Sequence, residues 1–427
     1  MTLVLIVFAV LLLTGMPVAF AIGISGFTFF LQQGGILPLT MPVQLVLSET
    51  QNFALLAIPM FIFAGNLMNE TGITSRLLNL ASMLTGHMYG GLAQVSAVLS
   101  GLMGGVSGSA IADAAMQSRI LGPSMVKRGY SRGYAAGVNG FTGLITIAIP
   151  PSIGLVLYGS IGEVSVGRLF AGGLVPGLLM MVLLMVAITI TSRIRGYKPE
   201  REGFPPVKDV AATALRSIWA LMFPVFLLVT LRFGLLVPSE AGACAAVYAL
   251  VVGIVAYREL DWERFKRTVR ATVTDIGTIM FLIALSALIS YAMKWEMIPQ
   301  QLSTFFLGIS ASPKILTALI LVFLLFLGMF MDSTVMILLL SAILVPIIKQ
   351  LGVDPVFFGV AMVISCAVGL LTPPVGVSMY SVCSIMECSV SEFVRDSWPF
   401  FVCVLLLVAL LIIFPGIVTF LPNLLFG

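Results

Sequence analysis

Thr146-Ile147-Ala148-Ile149-Pro150-Pro151-Ser152-Ile153-Gly154 sets two consecutive prolines in an apolar stretch, and Gly369-Leu370-Leu371-Thr372-Pro373-Pro374-Val375-Gly376 does the same. Proline lacks an amide hydrogen and drives the residue before it out of the α region. Each double proline therefore breaks a helix and leaves carbonyls of the preceding turn without donors. In hydrocarbon such carbonyls need a substitute partner. A Na⁺ ion takes several oxygens, and freed carbonyls with Ser and Thr hydroxyls supply them. A proline kink in a packed helix explains either element alone. The pairing of both with a second interrupted element favours an ion site.

Pro373 follows Pro150 by 223 residues, and the same offset joins further positions. Gly105 meets Gly328, Ser118 meets Ser341, Pro123 meets Pro346 and Phe170 meets Phe393, all without a gap. A proline followed by a double proline at one spacing, twice at one offset, marks an internal repeat. The copies differ in charge. Residues 119–132 carry Arg119, Lys127, Arg128 and Arg132, whereas 342–355 carry Lys349 and Asp354. The positive-inside rule puts these stretches on opposite sides of a membrane. Inverted repeats with interrupted helices are a signature of secondary transporters.

Each repeat also has a polar, glycine-rich interruption between two short apolar arms. Residues 91–104 and 111–122 flank Gly105-Val106-Ser107-Gly108-Ser109-Ala110, and 314–327 and 334–347 flank Gly328-Met329-Phe330-Met331-Asp332-Ser333. Such arms reach the bilayer middle without crossing it, so each is expected to form a re-entrant hairpin. The expected layout is repeat one at 91–167 (hairpin 91–122, broken helix 136–162) and repeat two at 313–397 (hairpin 314–347, broken helix 357–386). Scaffold and arm helices are expected at 1–90, scaffold spans at 168–312 and a terminal span at 398–427.

Composition agrees with a chain embedded in lipid. Of 427 residues, 59% are hydrophobic and 9% charged, with mean hydropathy +1.13. A soluble domain carries about 25% charged residues, so a soluble enzyme and a disordered chain are both excluded. The length accommodates roughly ten to twelve spans. The net charge of +4 is too small and too scattered for nucleic acid. Apolar runs at about 3–30, 52–68, 168–192, 217–237, 240–257, 274–293 and 399–421 read as spans or near-spans. Met1 to Ala21 ends in Ala19-Phe20-Ala21, as a cleavage site would, but no Lys or Arg precedes Arg76, so an uncleaved first span is expected. The basic loops 193–216 and 258–270 are separated by two spans and are expected on one side, the cytoplasmic one.

Few residues carry chemistry. Cys244, Cys366, Cys383, Cys388 and Cys403 lack metal-ligand spacing and read as small hydrophobes. No GxxxxGK[ST] phosphate loop occurs. Gly105-Val106-Ser107-Gly108 matches the GxSG of intramembrane serine proteases, but His87, the single histidine, lies at a segment edge. Asp332 stands at a hairpin tip, where an intramembrane carboxylate is expensive and marks function; it also suits a helix N-cap. Asp113 either binds or only stabilises its hairpin arm. Glu163, Arg168, Lys294 and Glu296 lie near segment ends and suit snorkelling or loop pairing.

These residues resemble the large membrane (M, or DctM-like) subunit of tripartite ATP-independent periplasmic transporters, the TRAP transporters. The resemblance spans essentially the whole chain. It is carried by Ile58-Pro59-Met60-Phe61-Ile62-Phe63-Ala64-Gly65-Asn66-Leu67-Met68, Ser107-Gly108-Ser109-Ala110-Ile111-Ala112-Asp113, Lys127-Arg128-Gly129-Tyr130 and the two double-proline segments. The stretch from Ile149 to Leu155 with Tyr158-Gly159 looks most like sialic-acid members. The resemblance implies an all-α polytopic inner-membrane protein with a scaffold and a mobile transport domain, similar to dicarboxylate–sodium symporters with elevator motion. It further implies Na⁺ coupling, a small four-helix Q subunit and a soluble periplasmic P protein that delivers an organic acid. The Q subunit is absent from this chain.

Together the residues and the resemblance give an expected site. Sodium site one comprises Gly105, Ser107, Thr146, Ile149 and Ser152; sodium site two comprises Gly328, Asp332, Gly369, Thr372 and Val375. Side-chain oxygens differ between the copies, so backbone carbonyls are expected to dominate. The substrate anion is expected between the tips, with Ser107, Ser109, Asp332, Ser333 and Thr334 as partners. Bound Na⁺ and positive half-helix N-termini then neutralise its carboxylate. A one-component Na⁺–dicarboxylate symporter, a passive channel and a membrane-embedded enzyme are the competing classes.

Overall fold

The computed structural model describes residues 2–51, 53–104, 107–298, 300, 301, 304, 308 and 312–427. The described residues form helices and no strands. In chain order they are α1 (Thr2–Leu13), α2 (Val18–Gln32), α3 (Met41–Thr50), α4 (Ala57–Glu70) and α5 (Ile73–Thr85). Then come α6 (Gly91–Met103), α7 (Ala110–Ile120), α8 (Gly122–Lys127), α9 (Arg132–Gly143), α10 (Ile145–Ala148) and α11 (Ile153–Gly162). Next are α12 (Val166–Arg195), α13 (Val207–Arg216), α14 (Ile218–Arg232), α15 (Pro238–Val251) and α16 (Trp262–Trp295). The last are α17 (Pro313–Gly328), α18 (Ser333–Gln350), α19 (Pro355–Gly369), α20 (Val377–Met386), α21 (Val390–Ile413) and α22 (Gly416–Phe426).

Helices flank each of the four interruptions. Hairpin one is α6 and α7, and hairpin two is α17 and α18. Broken helix one is α9–α10 joined to α11 through a 42° bend at Ile149–Ser152. Broken helix two is α19 joined to α20 through the non-helical segment 370–376. The starts are slightly earlier than expected because Ser131, Ser312 and Asp354 stand at the N-cap positions of α9, α17 and α19.

The repeats interlock. The first half of each broken helix packs on its own hairpin: α9 on α6 and α7, α19 on α17 and α18. The second half packs on the outgoing arm of the other hairpin: α11 on α18, and α20 on α7. Small residues make these crossings close. A Cβ on Gly154 would stand 3.2 Å from Ile337 Cδ1, and one on Gly162 would stand 2.9 Å from Val345 Cγ2. Tyr158 packs on Gly359 and donates its hydroxyl to the Pro355 carbonyl at 2.9 Å. This exchange packs each repeat against the other.

The apolar run 3–30 is not the single span expected. Gly15, at φ +79°, and Pro17 break it, and Val4 joins Phe29 and Phe30 in one buried cluster, so α1 and α2 form an antiparallel pair. Around them, α16 packs on α2, α3 and α4, and α15 packs on α4. The long helix α12 packs on α6, α10, α21 and α22, and touches α14. Among the described residues five helices are long and apolar enough to cross a membrane, or up to seven if each bent pair counts as one.

Both basic loops close on one end of the molecule. Gly86 O accepts from Glu200 N (2.8 Å) and Arg201 N (3.0 Å), and Arg76 pairs with Glu259 at 2.6 Å. Helix α5 and its end thus hold loop 193–216 and loop 258–270 together, as the two intervening spans require.

Candidate functional site at the hairpin tips and helix breaks

In repeat one the tip lies against its own break. A Cβ on Gly104 would stand 2.5 Å from Ile149 Cβ, and one on Gly108 would stand 2.6 Å from Pro151 O. Gly108 has φ +60°, so glycine serves here for conformation and for closeness. Gly105 and Val106 lie outside the described residues, so the expected role of Gly105 has no geometry to set beside it. Ser107 Oγ is buried and has no hydrogen-bond partner among the described residues. Ser109 caps α7, accepting from Ala112 N at 3.4 Å, and Ser152 caps α11, accepting from Leu155 N at 3.3 Å. Thr146 is fully buried and donates to Gly143 O at 2.8 Å. Ile149 is extended (φ −85°, ψ 128°), which ends α10.

Repeat two repeats the contact with different atoms. A Cβ on Gly328 would stand 2.6 Å from Cys366 O and 3.1 Å from Gly369 Cα. Gly376 N donates to Met329 O at 2.9 Å and ties the break to the tip. Asp332 caps α18 by accepting from Thr334 N at 2.8 Å. Ser333 and Thr334 occupy the first turn after it, half-buried. Thr372 donates its hydroxyl to Val368 O at 2.9 Å, and Val375 is 40% exposed beside the two prolines.

The freed carbonyls are not equivalent. Gly369 O already accepts from Thr372 N (3.0 Å), and Leu370 O from Met379 N (3.1 Å). In break two the chain itself occupies one lone pair of each, leaving the second for another partner. Positive charge is remote in sequence: no Lys or Arg occurs in 91–118, 133–167, 315–348 or 350–394. Among the described residues no cluster of three or more His, Cys, Asp or Glu side chains forms a metal centre.

Behind tip one lies a buried polar network. Asp113 Oδ2 accepts from Ser100 Oγ at 2.9 Å and from Gln117 Nε2 at 2.6 Å. Gln117 Nε2 also donates to Ser100 Oγ at 2.6 Å. Ser96 Oγ donates to Gln117 Oε1, and lies 2.9 Å from Asn139 Oδ1 and 2.8 Å from Thr142 Oγ1. All six residues are at most 1% exposed. Asp113 Oδ1 and Asn139 Nδ2 have no partner among the described residues. Asp113 therefore does more than stabilise a first turn: it links both arms of hairpin one, while Ser96 carries the network on to α9. Ser96/Ser100 and Asp113/Gln117, each four apart, and Asn139/Thr142, three apart, were a legible signal of facing polar stripes. The corresponding positions in repeat two are Leu319, Phe323, Met336, Leu340, Met362 and Ser365. The network is a property of repeat one alone.

On the opposite end from the basic loops, a crevice of about 520 Å³ opens between α16 and α18. Ser286 and Ser290 line one wall and Ser341 the other, with Lys294, Lys349 and Glu163 at its mouth. Glu163 and Lys294, set aside from the sequence as end-of-segment residues, therefore face an internal crevice.

The chain is similar to a family of membrane transport proteins. The family described as "Tripartite ATP-independent periplasmic transporter, DctM component" matches residues 5–417. The sialic acid TRAP transporter large permease protein SiaM of Vibrio cholerae is 34% identical, over 98% of this chain and 97% of its own. The 2,3-diketo-L-gulonate TRAP transporter large permease protein YiaN of Escherichia coli is 33% identical, over 96% and 94%. The C4-dicarboxylate TRAP transporter large permease protein DctM of Rhodobacter capsulatus is 31% identical, over 97% of each. Among solved structures, the Alcanivorax borkumensis YdaH transporter superposes with TM-score 0.62 at 13% identity, covering 87% of both chains. MtrF of Neisseria gonorrhoeae gives 0.59 at 12% identity, covering 86% of this chain and 83% of its own. Those two likenesses concern the fold. The matches to the large permeases set the chain in the inner membrane as a transporter subunit and not an enzyme. A double-proline break in each repeat, a glycine-rich tip seated on each break, and a family match over nearly the whole length have one common explanation: the chain belongs to the DctM family, the large permease component of tripartite ATP-independent periplasmic transporters.

Proposed function

We propose that this subunit imports an organic acid across the inner membrane, driven by a Na⁺ gradient. The observation that carries the reading is the seating of each glycine-rich tip on the non-helical break of its own repeat. Two such junctions give two places where backbone oxygens, without a full set of amide donors, meet hydroxyl side chains. Na⁺ site one is assigned to Gly105, Ser107, Thr146, Ile149 and Ser152. Na⁺ site two is assigned to Gly328, Asp332, Gly369, Thr372 and Val375. The residues suit the ion, which takes carbonyl, hydroxyl and carboxylate oxygens; Val375 and Ile149 contribute through the backbone alone.

The substrate carboxylate would lie between the tips, reached by Ser107, Ser109, Ser333 and Thr334. No lysine or arginine occurs in 91–118 or 315–348, the stretches that hold the two tips, so the counter-charge comes from Na⁺ and the N-termini of α7 and α18. Without Na⁺, an anion beside Asp332 is repelled. Binding is therefore ordered, with ion before anion. The interlocked repeats would move as one body past α16 in an elevator motion, with the crevice between α16 and α18 as the opening at that end.

The relatives' transport of sialic acid, 2,3-diketo-L-gulonate and C4-dicarboxylates supports an organic-acid substrate, and sialic acid is the first to try. A small Q subunit and a periplasmic P protein complete the system. The isethionate permease DctMQ of Oleidesulfovibrio alaskensis matches 97% of this chain within 64% of its own length, leaving room for a fused small subunit there. The test is uptake of labelled sialic acid or a C4-dicarboxylate into proteoliposomes holding this chain, the Q subunit and the P protein. Uptake that needs an inward Na⁺ gradient and the P protein supports the reading. Equal uptake without the P protein would favour a one-component symporter instead.

A further inference from the structure

We propose that a polar cavity between α5, the α13–α14 bend and the end of α15 holds the phosphate headgroup of an anionic phospholipid. The cavity has a volume of about 560 Å³. Ser75, Arg76, Asn79, Arg216, Trp219 and Glu259 line it. It sits at the end that carries both basic loops, the cytoplasmic end by the positive-inside rule.

Its charge is unbalanced. Arg76 is fixed by Glu259 at 2.6 Å, by the Gly72 carbonyl at 2.9 Å, and by stacking over Tyr257 at 3.9 Å. Glu259 is shared with Arg264 at 3.9 Å. Arg216 has no acidic partner among the described residues. Two guanidinium groups thus face one carboxylate, and the surplus is a single positive charge. A phosphodiester carries one negative charge and accepts hydrogen bonds of the kind the Asn79 amide donates from α5, while Ser75 already donates to the Gly72 carbonyl at 2.9 Å. Basic pockets between spans on the cytoplasmic side are where phospholipid headgroups bind.

The surroundings specify a lipid over a free anion. Helix α13 bends 63° from α14, has no buried residue, and exposes Val207 and Leu215 at 76% and 68%. A polar-and-apolar helix set at such an angle to a span lies in the plane of the interface. Trp219, 49% exposed at the start of α14, stands where indole rings occupy the headgroup level. Leu215, Trp219 and Ala256 give the cavity an apolar rim on which acyl chains rest. A free phosphate has no use for that rim.

The test is native mass spectrometry of the full chain in neutral detergent, with phosphatidylglycerol, phosphatidylcholine or inorganic phosphate added at equal concentration. The expected result is retention of phosphatidylglycerol above the other two. Arg216→Gln should lower that retention about fivefold, the effect of one cation near a charged surface. Lys208→Gln, on α13 but outside the cavity, should leave it unchanged. Ala256→Trp, which fills the rim, should also lower it, and serves if Arg216→Gln does not fold. The proposal is overturned if phosphatidylcholine is retained equally, if inorganic phosphate displaces the lipid, or if both cavity variants retain it fully. None of these outcomes depends on transport.

Discussion

Gly369 packs directly on Gly328: a Cβ built on Gly369 would stand 2.5 Å from the Gly328 Cα. The tip of hairpin two and the break of helix two therefore meet backbone to backbone. Gly369→Ala must push them apart, and overpacking of this kind costs about 1–3 kcal/mol. The expected outcome is a protein that inserts in the membrane but loses Na⁺-driven uptake at least tenfold. Gly277→Ala, where nothing lies within 4 Å of the new methyl, should leave uptake unchanged. Equal uptake by both variants would separate the Gly328–Gly369 contact from the ion site.

Asp332 serves as a helix cap, and its assigned role at the site adds a charge requirement. The two are separable because Asn caps a helix about as well as Asp, whereas Ala loses about 1 kcal/mol. Asp332→Asn should keep the thermal stability of the unaltered protein and lose Na⁺-driven uptake. Asp332→Ala should lose both. Full uptake by the Asn variant would reduce Asp332 to its cap.

Two junctions of one design imply two ions. Initial uptake rates at varied external Na⁺ should give a Hill coefficient above one, and substrate binding should tighten as Na⁺ rises. A hyperbolic response would leave one functional junction.

The buried network of repeat one predicts an asymmetry in stability. Asp113→Leu removes the acceptor of Ser100 and Gln117 in a buried site, at about 1–3 kcal/mol for each polar group left unpaired. The repeat-related change Met336→Leu keeps volume and polarity and should cost under about 1.5 kcal/mol. Thermal unfolding of the purified variants is the measurement, with the larger drop in midpoint expected for Asp113→Leu. Similar midpoints would show that Asp113 is not a tie within hairpin one.

Much of this architecture is written in local sequence. Proline chemistry placed both breaks within a residue or two, because a missing amide acts where it stands. The offset of 223 residues exposed the repeat, since equivalent helices need equivalent interruptions. The first apolar run misled for a related reason. Hydropathy counts residues, while Gly15 and Pro17 decide direction, so one long run became two antiparallel helices.

By itself, then, the sequence determined what is set by composition and by backbone chemistry: residence in lipid, helices alone, two repeats, and a double-proline break with a hairpin in each. Tertiary structure decided what depends on partners far apart in the chain. Nothing in the sequence said that α11 packs on hairpin two and α20 on hairpin one, the exchange that interlocks the repeats. Nor did it show that Asp113 on one arm meets Ser100 on the other, or that the Gly369 and Leu370 carbonyls are already half occupied. Those facts follow from distance in space, which three-dimensional packing alone fixes.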